Sequence, residues 1–201
     1  GDVMCDAIMF YKKMLTAYES KDIFKRMNII YPQKIIGLPD KWYLATIHRA
    51  ENTDNINKIK EILAAFEELE CKVIFPVHPR TINMVKQLCQ ENEYKNLILS
   101  EPIGYLDIIY LTQNAQKVIT DSGGLQKEAY MLDTPCVTVR DQTEWVETLI
   151  GNNNILAKPD KKDIVNKVLN ISIDKSVKKN YYGDGNAANK IINIIRGGNQ
   201  I

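Results

Sequence analysis

Ser122-Gly123-Gly124 joins two runs of different period, the strand-like Lys117-Val118-Ile119-Thr120-Asp121 before it and the helix-like Leu125 to Leu132 after it. Paired glycines at such a junction let backbone N–H groups approach a phosphate, and the start of a helix adds partial positive charge. The segment reads as an anion cradle or, on spacing alone, as a tight turn with Ser122 capping the helix. His48-Arg49 ends another strand-like run. A histidine can hydrogen-bond a leaving phosphate or, if protonated, place charge on it, and arginine can fork two N–H groups onto phosphate oxygens. Glu128, one turn past Gly124, offers a carboxylate that could accept both hydroxyls of a ribose, or else a solvated helix surface. Arg140 opens Arg140-Asp141-Gln142-Thr143-Glu144 and either reaches the same place or pairs with Asp141, Glu144 or Glu128. Glu51 reads as a brace for the His48 loop, Thr81 as a helix cap, and His78 as standing one strand away from the site.

Alternating elements must hold these residues. Short apolar runs, most with β-branched residues, predict strands at Trp42–Ile47, Lys72–Val77, Asn96–Leu99, Lys117–Thr120, Cys136–Val139 and Asn154–Leu156. Between them the period becomes helical, as in Ile56, Ile59, Ile62, Leu63, Phe66 and Leu69. Further helices are expected at Thr81–Asn92, Tyr105–Gln113, Leu125–Leu132, Glu144–Ile150 and Lys161–Leu169, with added helices over 2–20 and 187–196. This alternation is that of an α/β, doubly wound parallel sheet, Rossmann-like, with helices on both faces and right-handed crossovers. In the strand order 3-2-1-4-5-6 the first and fourth strands are neighbours, and a crevice opens at their carboxyl ends. The loop carrying His48-Arg49 and the loop carrying Ser122-Gly123-Gly124 should therefore meet.

Composition narrows the class. The 201 residues are 45% apolar, enough for one substantial core, and the net charge of +1 provides no basic field for nucleic acid and no polybasic membrane patch. Any anionic ligand must be met locally. The four scattered cysteines fit reduced core thiols and a cytoplasmic chain. No apolar stretch approaches the roughly 18 residues of a membrane span, and no signal-peptide pattern opens the chain. Gly1-Asp2-Val3 lacks an initiator Met, so the chain reads as a processed or excised piece. There is no Gly-x-Gly-x-x-Gly fingerprint, no P-loop and no His-Glu-x-x-His, so neither a metal nor a cofactor is expected. Asp121-Ser122-Gly123-Gly124 is also not a Gly-x-Ser-x-Gly nucleophile elbow.

Four segments carry a family resemblance: Thr46-Ile47-His48-Arg49-Ala50-Glu51-Asn52, Pro76-Val77-His78-Pro79, the ten residues from Thr120 to Ala129, and Val139-Arg140-Asp141-Gln142-Thr143-Glu144-Trp145. In order and spacing they resemble the non-hydrolysing UDP-N-acetylglucosamine 2-epimerases, and Tyr182-Gly183-Asp184-Gly185-Asn186-Ala187-Ala188 is similar to that family's closing signature. Lys127 departs from the acidic residue common at its position.

The resemblance implies the C-terminal half of a two-domain enzyme of glycosyltransferase-B architecture, with UDP-sugar between the halves. It implies a helical lead-in over 1–27 from a missing N-terminal domain, a UDP-binding domain over 28–175 and a C-terminal helical extension over 176–201. Ser122, Gly123 and Gly124 would cradle the diphosphate, Glu128 would bind the ribose, and His48 and Arg49 would act on the diphosphate and sugar. Ile103 and Ile108 would wall the uracil; Arg140 is added as a UDP contact on its place at the strand end beside the crevice. The implied reaction inverts C2 of UDP-N-acetylglucosamine through elimination and re-addition of UDP, in a cytoplasmic enzyme of cell-surface polysaccharide synthesis that is a homodimer at full length. Its proton-transfer carboxylates would lie in the other half, leaving this chain inactive alone. A donor-binding half of a glycosyltransferase and a non-catalytic nucleotide-binding module are the alternatives.

Overall fold

The computed structural model describes residues 1–35 and 37–197. Two helices come first, α1 (Val3–Met14) and α2 (Ser20–Arg26), then strand β1 (Ile29–Tyr31). The alternating body follows as β2 (Trp42–Thr46), α3 (Ala50–Thr53), α4 (Ile56–Glu68), β3 (Lys72–Pro76), α5 (Pro79–Glu91), β4 (Leu97–Ser100) and α6 (Tyr105–Asn114). It continues through β5 (Lys117–Thr120), α7 (Gly123–Met131), β6 (Cys136–Val139), β7 (Asn154–Ala157) and α8 (Lys161–Asn170), and α9 (Ala187–Ile195) closes the described chain.

Among the described residues seven strands lie in the order β1-β4-β3-β2-β5-β6-β7, with β1 antiparallel to β4 and every other pairing parallel. Without β1 this is the expected 3-2-1-4-5-6 winding. Alternation along the strands sorts the core into two layers. Tyr43, Ala45, Val73, Phe75, Ile119 and Val137 face α4, α5 and α8, whereas Trp42, Leu44, Ile74, Ile98, Val118 and Cys136 face α2, α6 and α7. Residues 1–27 join this packing: Ile8 and Leu15 meet Ile109 and Leu132, and Ile23 and Met27 lie in the second layer. The expected extension over 176–201 is described only as far as 197, and its last residues lie outside the described ones. Among the described residues no helix is long and apolar enough to cross a membrane.

Two expectations need correction. The helix expected over Glu144–Ile150 is not an α-helix and starts later; a 3-10 helix runs Val146–Asn152 and is broken at Ile150 and Gly151. Gly151 takes φ +67°, and Asp174 O and Val177 leave no room for a side chain there. The helix expected from Leu125 begins two residues earlier, so Gly123 and Gly124 form its first turn.

Candidate functional site

Asp121 organises the crevice. It is fully buried at the end of β5, and its carboxylate accepts from the N–H of His48 (3.0 Å), the N–H of Arg49 (2.9 Å) and Asn52 Nδ2 (3.0 Å). Buried carboxylates require such partners, and these come from the loop after β2 and from α3, which that loop enters, so one residue ties the two strand ends together. Thr46 Oγ1 and Thr120 Oγ1 bridge the same strand ends at 2.6 Å.

Ser122 caps α7, with its Oγ accepting from Leu125 N–H at 3.4 Å and its carbonyl from Gln126 N–H at 3.2 Å. The N–H groups of Gly123 and Gly124, in the first turn, have no intrahelical acceptor and remain as donors. Capping and cradle are therefore compatible in one segment. The glycines serve space rather than unusual backbone angles, since neither takes a positive φ.

A cavity of about 300 Å³ opens at this helix start. His48, Ile103, Ile108, Ser122, Gly124 and Glu128 line it, so the structure brings these six sequence-selected residues together. His78 and Tyr105 line it as well. His78 stacks on His48 with ring centroids 5.4 Å apart, and its Nδ1 caps α5 by accepting from Arg80 N–H. Thr81, expected to be that cap, instead donates its hydroxyl to Ile47 O. Strand order alone placed His78 too far away, because neighbouring strands are only about 4.8 Å apart and an imidazole spans that gap.

Burial lowers the His48 pKa, with His78 and Arg49 adding to the effect and Asp121 opposing it. His48 Nδ1 lies 3.4 Å from Asp121 Oδ1. Burial raises the Glu128 carboxyl, against the Tyr105 hydroxyl and Lys127. Glu128 is 7% exposed, which removes the solvated-surface reading.

Arg49, Gly123 and Arg140 stand beside the cavity rather than on its wall. A Cβ on Gly123 would lie 3.6 Å from Arg49 Nη2 and 3.2 Å from Trp145 Nε1. Of the partners open to Arg140, the structure shows Glu144, held in a two-pronged pair. Trp145 and Lys127 were not singled out as site neighbours from sequence. Lys127 pairs with Asp2 at 2.5 Å and lies 4.1 Å from the Trp145 ring centroid, a contact between residues far apart in the chain.

The family model for UDP-N-acetylglucosamine 2-epimerase matches residues 1–196. A UDP-N-acetylglucosamine 2-epimerase homolog of Methanococcus maripaludis is 41% identical over 98% of this chain and 53% of its own length. The UDP-2,3-diacetamido-2,3-dideoxy-D-glucuronate 2-epimerase of Pseudomonas aeruginosa is 36% identical over 95% of this chain and 50% of its own. The Methanocaldococcus jannaschii UDP-GlcNAc 2-epimerase, solved in complex with UDP-GlcNAc and UDP, superposes with a TM-score of 0.82 at 32% identity, covering 98% of this chain and 54% of that one. The chain thus spans about half the length of these relatives.

Proposed function

The chain belongs to the UDP-N-acetylglucosamine 2-epimerase family, and from that premise we propose that it is the UDP-binding C-terminal half of such an enzyme. One observation carries the reading: a glycine-opened helix, a buried carboxylate, an imidazole and an apolar wall share a single cavity. Ser122, Gly123 and Gly124 hold the diphosphate, Glu128 the ribose hydroxyls, and Ile103 and Ile108 the uracil. His48 and Arg49 stabilise the diphosphate as it leaves C1 and the glycal forms. The other half of a cytoplasmic, homodimeric enzyme supplies the base for C2 and covers α1 and α9, where Phe10, Ile194 and Ile195 are exposed.

Calorimetric titration with UDP tests this reading, and failure to bind would overturn it. Replacing Glu128 with Ala should weaken UDP by up to about 1.5–3 kcal/mol for each charge-assisted hydrogen bond lost. The 2′,3′-dideoxy analogue should lose much of that sensitivity. Equal losses for both nucleotides would return Glu128 to a purely structural role.

The histidine gives a proton-linked expectation. His48 is held neutral by burial, and a neutral ring with Nδ1–H toward Asp121 offers only a lone pair at Nε2. A diphosphate needs a donor there, so its arrival raises the pKa of His48. Binding should therefore take up a proton, and affinity should rise as pH falls through the window between the lowered free and the raised bound value. Observed enthalpies in buffers of different ionisation heat measure the uptake. His48→Gln should abolish it, and unchanged uptake in that variant would place the titrating group elsewhere.

A further inference from the structure

Beside the cavity, at the α7 start, a polar cluster already holds an anion of the chain itself. A Cβ on Gly123 would meet Trp145 Nε1 at 3.2 Å, Arg49 Nη2 at 3.6 Å and Glu144 Oε2 at 3.9 Å, so an indole N–H, a guanidinium and a carboxylate crowd one face of the helix start. Arg140 holds that carboxylate from the other side, Nη1 to Oε2 at 2.9 Å and Nη2 to Oε1 at 3.1 Å.

The pair is lopsided. The Arg140 side chain is 6% exposed and that of Glu144 57% exposed. Removing the partner of a buried charge is costly, whereas an exposed carboxylate returns to water with little penalty. Arg140 must therefore keep an anion, but Glu144 need not be that anion. The Nε atoms of Arg49 and Arg140 are both buried without a hydrogen-bond partner, so this cluster has donor capacity that Glu144 does not satisfy. Together with the Gly123 N–H and the helix dipole, these donors suit a ligand with more acceptor oxygens than one carboxylate.

We propose that Glu144 is an internal placeholder for the diphosphate: its carboxylate occupies the Arg140 fork beside Gly123, yields it to the entering nucleotide and turns outward to solvent. The proposal rests on the nucleotide reading of the site. In the exchange Arg140 always has an anionic partner, so neither the free nor the bound form leaves a buried charge unpaired. Glu144 competes with the ligand, lowering affinity for the diphosphate while leaving recognition of the nucleoside untouched. A purely structural Glu144 would have the opposite effect, because it would aim Arg140 and its loss would weaken binding.

The test titrates the 201-residue chain and Glu144→Gln with UDP, uridine and inorganic pyrophosphate. Removing one partly solvated charge near the ligand should tighten UDP and pyrophosphate about 5- to 10-fold, with uridine unchanged. The gain should vanish in an Arg140→Met background, or shrink in Arg140→Lys where the methionine variant unfolds early. Equal or weaker UDP binding by Glu144→Gln overturns the placeholder, as does a gain that survives loss of Arg140. If neither UDP nor uridine binds any form, the nucleotide reading fails, and pyrophosphate alone decides: tightening in Glu144→Gln supports the exchange, and no pyrophosphate binding in either protein overturns it.

Discussion

Gly123→Val should bring UDP binding below detection while the distant surface change Lys175→Ala leaves it intact. The reason is volume at the start of α7. A Cβ on residue 123 already comes within 3.2 Å of Trp145 Nε1, a tight contact, and the two γ-carbons of valine must go further into the space between Trp145, Arg49 and Glu144. That space borders the N–H groups proposed to hold the diphosphate, and a screened N–H cannot be replaced by another donor in the same geometry. Gly124 differs, since a Cβ there meets Met4 Cε and Ser122 Oγ at an ordinary 3.8 Å. Gly124→Ala should therefore fold normally, with its methyl projecting at the cavity wall, and weaken UDP less than the valine does. Calorimetry combined with thermal unfolding separates lost binding from lost folding. Equal affinity of Gly123→Val and the unaltered chain would remove the diphosphate from this loop.

Much of this arrangement was legible because periodicity is a local signal. The parallel strands have apolar faces on both sides, and the runs at Trp42, Lys72, Lys117, Cys136 and Asn154 are bounded by turn-forming residues, so strand order and the meeting of two loops followed from winding rules. Strand β1 escaped because three residues, Ile29 to Tyr31, are too few to show a period, and their pairing with β4 is a long-range event. The stretch after Trp145 misled because its apolar spacing imitates a regular helix, while Ile150 and Gly151 break it with non-helical backbone angles, at a place where Asp174 and Val177 leave no room for a side chain on residue 151. Arg140 had several possible partners, Asp141, Glu144 and Glu128, and only the folded geometry singles out Glu144. Lys127 shows the limit most clearly. Its unexpected charge on α7 is balanced by Asp2, a residue 125 positions away that also caps α1. No local pattern reports a compensation of that kind.

The isolated chain should show no detectable epimerisation, because the carboxylates it brings to the site are all engaged. Glu128 is the carboxylate on the cavity wall among the described residues, and the proposed ribose contact uses it. Asp121 is committed to the backbone N–H groups of His48 and Arg49 and to Asn52, and releasing it would loosen the loops it joins. Glu144 is held below the usual carboxylate range by the hydrogen bonds from Arg140 in the free chain, and in the exchange proposed above it turns outward to solvent, so in neither state does it stand as a base at C2. An absent general base alone removes typically 10²–10⁴-fold in rate, and a sugar with no second wall to orient it loses the advantage of positioning as well. The contacts proposed between His48, Arg49 and the leaving diphosphate would not compensate, since they stabilise charge on one side of a bond whose cleavage requires a proton to leave C2. Incubating the chain with UDP-N-acetylglucosamine in deuterated water and following C2 by NMR tests this directly. Unchanged C2–H is the expected result, and protein-dependent deuterium incorporation would show that a working base resides within these 201 residues, which would end the half-enzyme reading.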